Sequence, residues 1–120
     1  MLSLPPTMRV FLAAQPTDMR RSFDGLVALT RSALSQDPLS GHLFAFINRR
    51  RTMIKAVYWD RNGYCLVAKR LEKGTFVLPV AKDGTVLEVE AVELTLLLEG
   101  IDLSKARLRP RWAPAAVGAK

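Results

Sequence analysis

A single cysteine, Cys65, and a single histidine, His42, leave this 120-residue chain few ways to do chemistry. One thiol cannot build an intrachain disulfide framework, and such sparing use fits a reducing, intracellular setting. Cys65 sits in a strand-like run and reads as a small buried hydrophobe. His42 has no second histidine or cysteine at metal-ligand spacing, which points to a structural or surface role. The two could act as a nucleophilic pair only if the fold brought them together. Asp18 and Asp24 would fall on opposed faces of a helix, and Asp60 reads as a turn residue, so no carboxylate set suits two-metal phosphoryl transfer. Gly74 and Gly84 are isolated turn glycines, not a phosphate-cradling loop. Long apolar runs are missing too. Leu94 to Leu98 is broken by Thr95 and flanked by Glu93 and Glu99, far short of a membrane span. The opening Met1-Leu-Ser-Leu-Pro-Pro6 lacks the charged and apolar regions of a signal peptide. These absences predict a cytoplasmic protein that is not an enzyme, uses no cofactor or metal and has no membrane partner.

Acidic charge is scarce and unevenly spread. Eighteen Lys and Arg against eleven Asp and Glu give a net charge of +7. Six of the eleven acids lie between Asp83 and Asp102, and none follows. The cations run as Arg20-Arg21, Arg49-Arg50-Arg51, Lys69-Arg70 with Lys73, and Lys105, Arg107, Arg109 and Arg111. Segregated positive charge is the footprint expected of a nucleic-acid partner. The competing reading is a basic protein whose charge merely keeps its copies apart.

What is present builds a folded domain. Hydrophobic content of 49% and charged content of 24% argue against global disorder. A chain of this length can bury about two-thirds of its unfolded surface without disulfides or a metal. Met8 to Ala14 reads as a buried first strand, and Gln15-Pro-Thr-Asp18 as a turn. A helix then runs from Asp18 or Ser22 to Leu34, with Met19, Phe23, Leu26, Thr30, Ala33 and Leu34 on one face. Gly25 within it suggests that a backbone passes close by. Ser35 to Gly41 ends the helix. His42 to Asn48 is the next strand, and Arg49-Arg-Arg-Thr52 is the tip of a hairpin into Met53.

Met53 to Trp59 and Tyr64 to Leu71 form a second hairpin, rich in β-branched and aromatic residues. Asn62-Gly63 is expected to supply its positive φ angles. If these two alone turn the chain, Lys55 faces Arg70, a like-charge conflict. If the loop is Asp60 to Gly63, Trp59 faces Tyr64, Lys55 faces Ala68 and the conflict disappears. Glu72-Lys-Gly74 leads to a further strand, Thr75 to Leu78, stopped by Pro79. Val80 to Gly84 is a linker, and Thr85 to Ala91 alternates like one more strand. Glu90 to Glu99 reads as a short helix closed by Gly100. Short connections imply antiparallel neighbours. The fold class is therefore α+β: one domain over 1–104, a mainly antiparallel sheet of about five strands, a helix after the first and a short C-terminal helix. Residues 105–120 form a basic tail, expected to be flexible.

Several phrases taken together resemble a known family. They are Pro16-Thr-Asp-Met-Arg20, Phe23-Asp-Gly-Leu26, Asp37-Pro-Leu-Ser-Gly-His-Leu-Phe44, Lys55 with Tyr58-Trp-Asp60, Asn62-Gly63, Lys69-Arg-Leu-Glu-Lys-Gly74 with Phe76, and Pro79. In this order they are similar to the small TnpB accessory proteins of bacterial insertion sequence family sixty-six, which are distinct from the RNA-guided nuclease sharing that name. The match is tight over Met8 to Pro79 and loose over the acidic segment. The sequence departs from that family at Leu78, where tryptophan is usual, and at Val67-Ala68, where an aromatic is frequent. The resemblance implies an accessory protein encoded beside a separate transposase and needed for transposition.

The candidate nucleic-acid contacts are Arg20, Arg21, Arg49, Arg50, Arg51, Lys55, Lys69, Arg70 and Lys73, with Trp59 as a candidate stacking platform. Expected partners are DNA, met through its phosphates, and the transposase of the same element. The alternative is a module that docks on the transposase through the Glu88 to Glu99 segment and a sheet edge, with DNA affinity incidental.

Overall fold

A computed structural model describes residues 4–78 and 86–100. The elements run β1 (Arg9–Ala13), α1 (Phe23–Ser32), β2 (Leu43–Ile47), β3 (Met53–Asp60), β4 (Gly63–Arg70), β5 (Val86–Glu90) and α2 (Ala91–Leu98). The strands form one sheet in the order β4-β3-β2-β1-β5. The class is α+β, as the sequence predicts. β1 and β2 are parallel, because α1 carries the chain back between them, and every other neighbouring pair is antiparallel.

β1 and β2 are the central strands covered on both faces, which is why Val10 to Ala13 and Leu43 to Ile47 read as unbroken apolar runs. On one face Phe11, Phe44, Phe46 and Val57 pack under Leu26, Val27 and Leu34 of α1 and its exit turn. On the other, Val10, Leu12, Leu43, Ala45, Ile47, Ile54 and Ala56 pack under Leu94, Leu97 and Leu98 of α2. Phe76 and Leu78 complete that second core.

Several expectations are corrected in detail. α1 begins at Phe23, whose ring is 43% exposed, and Val27 takes the core position that spacing gave to Phe23 and Ala33. Thr30 is buried because its hydroxyl donates to the Leu26 carbonyl one turn back. No backbone passes Gly25: the atoms nearest a Cβ there are Cβ and Cγ of Arg21, at 3.1 and 3.2 Å. Thr75 to Leu78 is not a strand. The Leu71 N–H donates to the Thr52 carbonyl and the Phe76 N–H to the Arg51 carbonyl, both at 2.7 Å, wrapping this segment around the end of the sheet. α2 is capped by a reciprocal box in which the Glu93 carboxylate accepts from the Glu90 N–H, and Gly100 leaves the helix at φ +88°. The tail of 105–120 and the linker before Val86 lie outside the described residues.

The register of the second hairpin is the one that sets Trp59 against Tyr64, although the turn itself is only Arg61-Asn62 and not the whole of Asp60 to Gly63. Asp60 pairs with Gly63, Trp59 with Tyr64, Lys55 with Ala68 and Met53 with Arg70. Keeping Lys55 away from Arg70 centres the turn on Arg61-Asn62, so Arg61, at φ +54°, takes the left-handed conformation expected of Asn62-Gly63.

Candidate nucleic-acid interface

Strand directions bring distant cations to one end of the sheet. β1 and β2 both finish there, β3 begins there and β4 finishes there, so the loop into α1, the Arg49–Arg51 turn and the segment after Arg70 are neighbours. Asn48 builds the arginine turn. Its Oδ1 accepts from the Thr52 and Met53 N–H groups at 2.9 and 3.1 Å, and its Nδ2 donates to the Thr52 hydroxyl. The Arg51 N–H closes the turn onto the Asn48 carbonyl, and Arg51 sits at φ +60°. Three exposed guanidiniums thus stand on a fixed support. The bond from Phe76 to Arg51 sets Arg70 and Lys73 beside them.

The nine candidate cations divide by what their side chains touch. The Lys55 Nζ donates to the Met19 and Arg21 carbonyls at 2.8 and 2.9 Å, pinning the loop before α1, where Ser22 makes no side-chain cap. The Lys69 Nζ donates to the Leu98 carbonyl and ties the end of α2 to the sheet. Arg20 grips Asp18 with two nitrogens, and Arg70 pairs with Glu72 at 3.0 Å. Arg20 hydrogen bonds hold the Asp18 carboxyl down at about 2. Arg49, Arg50, Arg51 and Lys73 are in no salt bridge among the described residues, and Arg21, also in none, acts on the Asp18 carboxylate through its charge. A groove of about 360 Å³ opens under the loop into α1, lined by Ala13, Gln15, Pro16, Thr17, Asp18, Arg21, Leu29 and Ala33, with Phe46 as its floor.

The opposite end of the sheet is different. Asp37, Asp60, Glu88, Glu90 and Glu93 gather there with Arg9, Arg31 and Arg61, and Arg9 is engaged by Glu88 at 2.7 and 2.8 Å. Trp59 also lies there, six residues along β3 from Met53 and so about 20 Å from the arginine turn. Its ring meets Tyr64 edge-on, with centroids 5.1 Å apart. Trp59 and the arginine turn are therefore not brought together.

His42 and Cys65 are kept apart. The His42 Nδ1 accepts from the Arg9 N–H and its ring meets Phe11, on the α1 face. Cys65 is on the other face, opposite Tyr58, whose phenol is held above its usual range by burial and by a hydrogen bond with Cys65. Among the described residues no cluster of His, Cys, Asp or Glu could hold a metal ion. No helix among them is long and apolar enough to cross a membrane. Sequence reasoning overlooked Asn48 and the groove. An asparagine just before a turn was a usable signal for the first, whereas the groove depends on tertiary packing.

Residues 8–108 match the family described as "IS66 Orf2 like protein". A protein called uncharacterized protein y4jC, from Sinorhizobium fredii (strain NBRC 101917 / NGR234), is 40% identical over 110 residues, which is 92% of this chain and 93% of that one. The uncharacterized protein y4hO of the same strain is 36% identical over 118 residues, or 98% of this chain and 100% of the relative. No solved structure matches.

Proposed function

The chain belongs to the IS66 Orf2-like family of transposition-associated accessory proteins, and from that premise we propose that it is a non-catalytic, cytoplasmic factor that holds DNA through its phosphates. The observation that carries this reading is the gathering of Arg21, Arg49, Arg50, Arg51 and Lys73 at one end of the sheet, none of them in a salt bridge among the described residues. Guanidiniums present planar, always-charged donors suited to phosphate oxygens. A rigid turn lowers the entropy lost when they bind. The ammonium groups of Lys55 and Lys69 are committed to internal carbonyls, so their part is to position the loop and α2. Arg20 and Arg70 flank the surface and can exchange a carboxylate for a phosphate. Trp59 lies outside it.

Duplex affinity measured against salt tests this. Five phosphate contacts predict a log–log slope of roughly −4 to −5, and replacing Arg49, Arg50 and Arg51 by alanine should flatten it by about 3. A slope unchanged in the triple variant would overturn the assignment.

A second reading is docking on the separately encoded transposase. It is favoured by Val92, 60% exposed on α2 between Glu90 and Glu93, and by the eight-residue β4 at the sheet edge. Co-purification with the transposase in high salt plus nuclease supports it, and loss of the complex under those conditions counts against it.

A further inference from the structure

The groove beside α1 is not used by phosphate binding, yet it opens at the same end of the sheet and shares Arg21 with the cationic surface. We propose that it takes one unpaired nucleobase, making single-stranded DNA the favoured ligand; this rests on the DNA-binding reading above.

The shape follows from the fold. α1 packs across this face of the sheet, and the groove opens between its far end and the end of β1 at Ala13. Leu29 of α1 and Ala33 just after it give the groove one apolar wall, and Arg21 and Asp18, from the loop before the helix, are its charged lining residues. The facing wall is Ala13 and Pro16, and Phe46, itself fully buried, is the floor. Thr17 is held in place by its N–H, which donates to the Ile47 carbonyl at 2.8 Å. At about 360 Å³ the groove exceeds what a flat heterocycle needs. Its apolar walls with a few polar groups at the rim are what such ligands favour.

Charge selects the occupant. An apolar peptide side chain would gain nothing from the guanidiniums nearby. A base tethered to a phosphodiester brings its own anions, which Arg21 and the Arg49–Arg51 turn can meet while the base leaves water. In a continuous duplex the base is paired and stacked and cannot enter without the cost of extrusion. A single strand carries no such cost.

The test compares a short single-stranded oligonucleotide with a blunt-ended duplex of the same sequence and no loop, using the intact chain, its Ala33→Leu variant and the triple alanine variant of Arg49, Arg50 and Arg51. Ala33 is exposed, so leucine there fills the groove without entering a core. The expected result is about tenfold tighter single-strand binding by the intact chain, within the range of sequestering one base. Ala33→Leu should erase that preference while duplex affinity stays put, and the triple variant should weaken both. A 2-aminopurine in the single strand gives a second readout, brightening as it leaves its neighbours on binding to the intact chain. Equal affinity for both DNAs with no brightening would overturn the groove assignment alone. A preference that survives Ala33→Leu would also overturn it. Failure of the intact chain to bind either DNA would overturn the DNA-binding reading and the groove with it.

Discussion

Arg51 combines a backbone that suits glycine with a side chain that glycine lacks. At φ +60° an L-residue is strained, and it stays there because Asn48 and the Phe76 N–H hold both of its flanks. Arg51→Gly should raise stability by about 0.5–1 kcal/mol, the relief of strain less the chain entropy of glycine. It should also weaken DNA binding. A urea titration and a binding curve on the same sample check both directions, and a variant that loses stability contradicts the account. Asp18 gives a residue-scale test by pH. Its carboxyl is depressed to about 2 by Arg20, so what their pairing adds is complete above the ordinary carboxylate range and fades as pH falls through about 2. NMR titration should find the Asp18 midpoint there, and Arg20→Ala should raise it only part of the way to the usual carboxylate range, because the residue-20 N–H still donates to the carboxylate and Arg21 stays nearby.

Among the elements, the turn between β2 and β3 matters most. Asn48→Ala removes the acceptor for two backbone N–H groups, costing roughly 1–2 kcal/mol, while leaving all three guanidiniums in the chain. DNA affinity should fall, though less than in the triple alanine variant. Affinity unchanged despite a lowered unfolding midpoint would show that rigidity of the turn is irrelevant. Much of this level was legible in the sequence. Apolar runs, alternation, helical spacing and turn residues located β1 to β5, α1 and α2 among the described residues, and Gly100 marked the end of α2 at φ +88°. Thr75 to Leu78 misled because two buried residues at alternate positions look alike in a strand and in a segment wrapped around a sheet end. Asn62-Gly63 misled because local turn preference lost to a cross-strand term, the separation of Lys55 from Arg70. Lys55 and Lys69 read as surface cations because nothing local reveals a carbonyl 36 or 29 residues away.

At the scale of the whole molecule, charge is polarised along the strands. Most of the cations among the described residues lie where β1 and β2 finish, whereas only Arg9, Arg31 and Arg61 lie where they begin, among Asp37, Asp60, Glu88, Glu90 and Glu93. The sequence showed that the charges were clustered but not that the clusters would meet, since that depends on strand direction and on α1 returning the chain to make β1 and β2 parallel. Net charge alone would give equal weight to any arginine. The most direct measurement is therefore duplex DNA affinity for two charge-matched double variants, Arg49→Ala with Arg50→Ala, and Arg31→Ala with Arg61→Ala. The first should lose about tenfold or more at moderate salt and flatten the salt slope by about 2, while the second stays close to the parent chain. Equal losses in the two would contradict a localised surface and leave only diffuse attraction.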